Sequence, residues 1–378
     1  MIYLDNNATT EALPEVIDAV TATMRENWGN PSSAHALGSR AREALESARL
    51  TVAHAFGVSD PSRVFFTSSG TESINLALAS LVTPNIRQII VSATEHSAVI
   101  RAAQRWAADR KVRVLPVDSD GKANLDLLDR WTKEARTLVS IGIANNETGV
   151  IADLQEIRTC CQRNGAILHV DAVQAAGKIA VQFETIGCDA ASLSAHKFHG
   201  PLGCGVLLLS LPKGADGLPR GLFPGHQERG LRAGTENLPA IVGCALAATK
   251  IVQALESMTE VTRLRDLLET RLLALIPDST VHGRATERIP NTLSLFCPNR
   301  NASDMVSALS SLGLAISAGA ACSNGASPSH VIQAMGFSPE RANSTLRFSL
   351  SKFTTINEIA QAVEIVAKAY AITLATHA

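Results

Sequence analysis

Reactive side chains in this chain fall directly after short apolar, β-branched runs. His96 follows Gln88–Ser92, Asp171 ends Ile167-Leu168-His169-Val170, and Lys197 follows Ala190–Ser194. A lysine taken out of water has the lowered basicity that imine formation needs, although a solvated loop lysine fits the same place. A carboxylate closing an apolar strand is costly to bury without a cation; a pyridinium nitrogen is one such partner, and capping a helix from Ala172 onward is the plainer use. His96 can stack on a ring, move a proton or serve the structure alone.

Ser68-Ser69-Gly70-Thr71-Glu72 completes the set. Glycine lets backbone N–H groups approach an anion, and a helix start adds its dipole, although Ser and Thr cap helices equally well. Neither of the common glycine-rich nucleotide motifs occurs. His196 and His199 lack a third ligand nearby, so no metal site is indicated.

The seven cysteines, at 160, 161, 188, 204, 244, 297 and 322, are odd in number and show no C-x-x-C spacing. They read as free thiols in a reducing compartment. Cys322 sits within Ser317-Ala318-Gly319-Ala320-Ala321-Cys322-Ser323-Asn324-Gly325-Ala326-Ser327, a loop-like run of small residues suited to a reactive thiol. The other six lie in a predicted helix or among apolar and turning neighbours, where burial is expected.

The elements that must place these groups alternate. Strands are expected at Arg63–Thr67, Gln88–Ser92, Arg113–Val117, Leu138–Ala144, Ile167–Asp171, Ala190–Ser194 and Gly205–Leu209. Helical spacing marks Ser73–Leu81, Ser97–Ala108, Leu125–Glu134 and Leu154–Asn164 between them. This is an α/β pattern with a mostly parallel sheet. A helix-rich stretch, Ala240–Leu275, leads to a smaller α+β part with Thr292–Phe296, Leu314–Ser317, Leu346–Leu350 and a last helix, Thr355–Leu374. The expected division is a large domain over 13–252 and a small one from 1–12 and 253–378.

At 378 residues and 46% hydrophobic content the chain can bury a large core. Its 34 basic and 35 acidic residues leave no excess charge for nucleic acid. The start, Met1-Ile2-Tyr3-Leu4-Asp5, is unlike a signal peptide, and no apolar run is long enough for a membrane span. A cytoplasmic protein is expected.

Taken together, the motifs resemble the cysteine desulfurases of the nitrogen-fixation and iron-sulfur-assembly type, within the class V aminotransferase group. The resemblance runs through Tyr3–Thr10, Gly29–His35, Thr71-Glu72-Ser73, Thr94-Glu95-His96, Asn145-Asn146-Glu147, His169-Val170-Asp171, Ser194–Pro201, Arg232–Asn237 and Ala320-Ala321-Cys322. It implies the type I fold of pyridoxal-phosphate (PLP) transferases, with PLP bound as an imine to Lys197. Asp171 would meet the pyridine nitrogen, Gln174 the ring hydroxyl and His96 the ring face. Gly70, Thr71, Ser194 and His196 would hold the phosphate, and Thr235 the phosphate of the other subunit of a homodimer. Asn146 would serve cofactor and substrate, and Arg347 the carboxylate of L-cysteine.

The implied reaction takes sulfur from cysteine onto the Cys322 thiolate as a persulfide, releases alanine, and delivers the sulfur to an iron-sulfur scaffold or another carrier. Two departures stand out. Phe223-Pro224-Gly225-His226-Gln227-Glu228 replaces a run of three glycines, and the chain stops at Ala378 without the longer tail used by housekeeping members to dock a scaffold. Rival readings are another PLP enzyme of the group, an aminotransferase or selenocysteine lyase, and a catalytically silent scaffold. Cys322 favours desulfuration, and the presence of Lys197, Asp171 and His96 argues against silence.

Overall fold

Neighbouring residues of a strand face opposite sides of its sheet, so runs that are apolar throughout demand cover on both faces. In a computed structural model, which describes residues 1–210, 225–319 and 328–375, that demand is met. The strands are β1 (Ile2–Tyr3), β2 (Val64–Thr67), β3 (Gln88–Ser92), β4 (Lys111–Leu115), β5 (Thr137–Gly142), β6 (Ile167–Asp171), β7 (Ala190–Ser194) and β8 (Gly205–Leu209). From β2 onward these strands form one seven-stranded sheet of order β2-β8-β7-β6-β5-β3-β4. β8 runs antiparallel between β2 and β7, and the remaining pairs are parallel.

Val206 and Leu208 of β8 join one buried cluster, Leu207 and Leu209 another. Helices Pro14–Glu26, Ala36–Ala55 and Leu238–Thr249 pack on the first face, and Gly70–Leu81 with Ser97–Ala107 on the second. Each fully buried Leu, Ile or Phe contributes roughly 1.5–3 kcal/mol, so the sheet is the rigid middle layer from which the strand ends project.

A third cluster, including Leu4, Leu268, Leu293, Phe348 and Ile359, belongs to an antiparallel sheet. Its strands are β9 (Thr280–Val281), β10 (Thr292–Phe296), β12 (Ser317–Ala318) and β13 (Thr345–Ser349), in the order β12-β13-β10-β9. β11 (Leu314–Ala315) pairs instead with β1, in parallel. The first residues of the chain are thus built into the same cluster as the last helix, Ile356–Ala375. Among the described residues no helix is long and apolar enough to cross a membrane.

The α/β expectation holds, and its errors have local causes. The strand expected at Arg113–Val117 lies two residues earlier, because Pro116 has no N–H for the ladder and the pairing with β3 ends at Leu115. The run Leu138–Ala144 stops as a strand at Gly142, whose N–H is taken by the Glu95 side chain at 3.0 Å. Leu314–Ser317 is two short strands, since the chain changes partner from β1 to β13 at Ile316. The helix-rich stretch expected over Ala240–Leu275 is present as Leu238–Thr249, Ile251–Glu256 and Met258–Leu275, separated at Lys250 and Ser257.

Gly205 ties β8 to the turn after β2. A Cβ there would stand 2.4 Å from Ser69 C and O and 2.5 Å from Thr67 Oγ1, and backbone cannot move aside cheaply. Gly205→Ala is expected to lower the unfolding free energy by about 3 kcal/mol, near the upper end of overpacking costs. A urea midpoint equal to that of the unsubstituted chain would show that the turn gives way freely.

Candidate active site

Ligands of open α/β sheets bind beyond the carboxyl ends of the strands. Here those ends open on a cavity of about 920 Å³, walled by Gly70, Thr71, His96, Asn146, Asp171, Gln174, Ser194, His196, Lys197 and Arg347. The fold therefore brings these sequence-predicted residues together. Thr235 is exposed and outside that wall. Cys322, Phe223 and Pro224 lie outside the described residues.

β6 delivers Asp171 to the cavity floor, 8% exposed, where one carboxylate oxygen accepts the Val173 N–H at 2.9 Å. Burial pushes its carboxyl up to about 6, against the pull of that N–H and of Lys197. Among the described residues no ion pair is formed by Asp171, and a protonated pyridine nitrogen would supply a partner. Lys197, on the short 3₁₀ turn after β7, donates to the carbonyls of Asn7 at 2.6 Å and Ala8 at 2.7 Å. The N-terminal segment thus holds the amine at the edge of the cavity.

His96 caps the helix Ser97–Ala107, its Nδ1 accepting the Ala98 N–H at 3.1 Å. That fixes the proton of the neutral ring on Nε2. Burial, then Lys197 and His330, lower its pKa, so the neutral ring is favoured. His196 is held by Thr9 Oγ1 at 3.1 Å, with burial and the neighbouring lysines bringing it down to about 4.

Gly70 is the first residue of the helix Gly70–Leu81, whose cap is the Ser69 hydroxyl accepting from Glu72 N–H at 3.2 Å, and such a terminus suits an anion. A Cβ at Gly70 would stand 2.8 Å from Val173 Cγ2, so the backbone approaches where a larger residue would not fit. Glu72 takes the Ser68 N–H at 2.5 Å and pairs with Arg232 at 3.1 Å, fixing the turn. Helix terminus, close backbone and Ser194 fit a phosphate, and Asp171 fits the ring nitrogen, so the residues present suit PLP.

Arg347, on β13, is 2% exposed and reaches this cavity from the other sheet. Nη2 binds Asp5 at 2.7 Å and Nη1 the Asn146 carbonyl at 3.0 Å. Its buried Nε has no acceptor among the described residues. A substrate carboxylate would satisfy that donor.

Sequence reasoning assigned no role to Asn7, Lys178, Glu95 or Glu147. Glu95 is 5% exposed, and burial pushes it up to about 8, with Gly142 N–H opposing and Asp171 adding to the rise. Glu147 is pushed up to about 7 by burial and accepts from Ser329 Oγ at 2.5 Å. Asn7 and Glu147 fall within motifs already noted, but only the folded chain shows what they touch.

Glu95→Gln keeps an acceptor for Gly142 and cannot ionise. The folded carboxyl titrates near 8 against 4.5 when unshifted. The unfolded chain therefore sheds this proton first, and the parent protein loses stability as pH rises from about 4.5 to about 8, then levels off. The variant is expected to gain on the parent across that window by about 2–4 kcal/mol in urea unfolding. A difference independent of pH would mean that Glu95 stays ionised throughout.

The aminotransferase class-V model matches residues 2–362. A cysteine desulfurase of Nostoc sp. is 40% identical over 97% of this chain and 92% of its own length, and the cysteine desulfurase NifS of Azotobacter vinelandii is 39% identical over 95% and 90%. Among solved structures, a NifS-like protein superposes with a TM-score of 0.89 at 36% identity, covering 98% of this chain and 99% of its own. A NifS-like protein from Rickettsia africae gives 0.87 at 32%, again over 98% and 99%. With the cavity, the strand-end residues and near full-length similarity all agreeing, the chain belongs to the class-V aminotransferase family, among its PLP-dependent cysteine desulfurases.

Proposed function

We propose that this protein converts L-cysteine to L-alanine and carries the sulfur as a persulfide on Cys322. The observation that carries the reading is the convergence of Lys197, Asp171, His96 and Arg347 on one cavity with an unfilled guanidinium donor. PLP bound there supplies a sink for the electron pair left at the substrate α-carbon.

The chain's own residues do the rest. Arg347 binds the carboxylate and orients the α-carbon toward Lys197. Lys197 takes the α-proton, and the neighbouring Asn7 and Ala8 carbonyls stabilise the charge it gains. With PLP bound, Asp171 would keep its ring nitrogen protonated and the neutral His96 ring would lie against it. The Cys322 thiolate attacks the substrate sulfur: an S–S bond forms, the C–S bond breaks, and its electron pair stays on the β-carbon; protonation there, with the α-proton returned from Lys197, gives alanine.

The six cysteines among the described residues are buried free thiols. Burial pushes Cys161 and Cys297 up to about 12, far from a thiolate at neutral pH. This supports assigning the nucleophile to Cys322. Exposure of Thr235 outside its own cavity wall supports a homodimer in which it serves the other subunit's phosphate site. A cytoplasmic location suits these reduced thiols, and an iron-sulfur scaffold or other carrier protein would accept the sulfur.

Cys322→Ser is expected to bind PLP and cysteine but to lower alanine release by about a thousandfold or more, since an activated nucleophile acts as a unit with its partners. Alanine formed from cysteine per unit time, with mass spectrometry for one added sulfur on the Cys322 peptide of the parent protein, makes the check. Near-normal alanine release in the variant, or the sulfur on another cysteine, overturns the assignment.

A further inference from the structure

Lys178 is a buried amine that the proposed reaction does not use. It is 6% exposed, and among the described residues no carboxylate lies within ion-pair distance of it. Burial lowers its pKa well below the ordinary lysine value, with Lys197 and Arg347 adding to the fall. A methionine of similar length would fill the space without that desolvation cost. What the amine does make is specific. Nζ donates to Gln174 Oε1 at 2.6 Å and to the Gln174 carbonyl at 3.1 Å.

We infer that Lys178 is a positioning residue that fixes which end of the Gln174 amide faces the cofactor pocket. A carboxamide can turn over and exchange its oxygen and nitrogen, and only its neighbours decide between the two. Both N–H groups that Lys178 directs at Gln174, to Oε1 and to the backbone carbonyl, are matched by acceptors, which favours the oxygen end beside it. On the other side Gln174 Nε2 donates to Asn7 O at 2.9 Å, and a carbonyl has no proton to offer, so a flipped amide would set acceptor against acceptor there and give up the Lys178 contact to Oε1. Both contacts select one orientation, in which the second N–H of the amide remains for the pocket that Gln174 lines.

The backbone is shaped for this contact. Gly177 adopts φ +76°, and a Cβ on it would stand 2.8 Å from Phe198 Cβ, beside Lys197. The turn can therefore press against the lysine loop and carry Lys178 inward, four residues after Gln174. Lys178 acts through Gln174 and touches neither substrate nor cofactor in this role, which rests on the reading of Gln174 as a donor to the PLP ring hydroxyl.

The test is a double-mutant cycle on the PLP-loaded protein, read from the pH midpoint of the visible absorption change of bound PLP. Removing a donor from the ring oxygen makes that oxygen more basic and holds the cofactor's proton more tightly, so Gln174→Ala should raise the midpoint by about one unit. Lys178→Met should raise it similarly, and the double variant no further, because the two residues act as one unit. Lys178→Gln serves as a second variant should the methionine fail to fold.

Shifts that add in the double variant would mean that Lys178 acts by its own charge, and overturn the assignment. So would an unmoved midpoint in Lys178→Met alongside a shifted one in Gln174→Ala. An unmoved midpoint in Gln174→Ala removes the donor role of Gln174 itself and the inference with it, while desulfuration through Cys322 stands or falls separately by alanine release.

Discussion

Asn7 is the joint on which the site depends. Its N–H reaches Ser349 Oγ at 2.9 Å, its side chain reaches Thr292 Oγ1 at 2.8 Å and Asn291 at 3.1 Å, and its carbonyl accepts from Lys197 at 2.6 Å and Gln174 at 2.9 Å. The first three partners belong to the antiparallel sheet region and the last two to the loops after the parallel strands. One short buried segment therefore sets Arg347 and Lys197 relative to each other. Neither sheet could do so alone, since strand pairing fixes positions only within its own sheet. An asparagine suits the place because it offers donors and acceptors on both backbone and side chain without adding charge.

Charge is rationed around that joint. Lys197, Lys178 and Arg347 crowd one side, and each depresses its titratable neighbours, leaving His96 and His196 neutral. The nearby acids are buried and raised, Asp171 to about 6, Glu147 to about 7 and Glu95 to about 8. Both trends have burial as their largest cause. Of the three acids, Asp171 has the lowest pKa, so it is the one most readily a carboxylate at neutral pH and fit to face a cation in the cavity. Glu95, further raised, is better suited to hold Gly142 as a neutral acid. Carboxyls of one type thus separate into different roles through their surroundings alone.

The strands most faithful to the sequence pattern, β3, β6, β7 and β8, are buried at every position around a short apolar run that marks each of them locally. Their ends carry His96, Asp171 and Lys197, which is why those residues were legible. Boundaries failed where one distant group intervened, as Glu95 does at Gly142. The early helices Pro14–Glu26 and Ala36–Ala55 carried no expectation at all, because their burial is set by the helix Leu238–Thr249, far along the chain. Lys178 was illegible for the same reason. Its run, Ala175-Ala176-Gly177-Lys178-Ile179, shows nothing reactive until the fold buries the amine against Gln174. A buried polar group is a tertiary fact, and local spacing records only where apolar faces lie.

The segment around Glu228 gives the same lesson in reverse. Glycine most readily takes left-handed backbone, yet here Glu228 and Arg229 adopt φ of 46° and 56°. Such conformations persist where the surroundings over-determine them. Glu228 is 4% exposed, receives Arg49 on both oxygens at 2.8 and 3.0 Å, and takes the Phe66 N–H at 3.0 Å. Arg229 in turn donates to the Val64 carbonyl at 3.0 Å. Both residues are therefore clamped to β2, the strand that leads into the Ser69-Gly70 turn, and Arg232 reaches Glu72 of the same turn a few residues on. What glycine would permit by freedom, this chain enforces by a buried ion pair. Removing one partner of such a pair leaves an uncompensated charge, so the anion cradle at Gly70 depends on Arg49 although that residue lies on a helix outside the cavity wall.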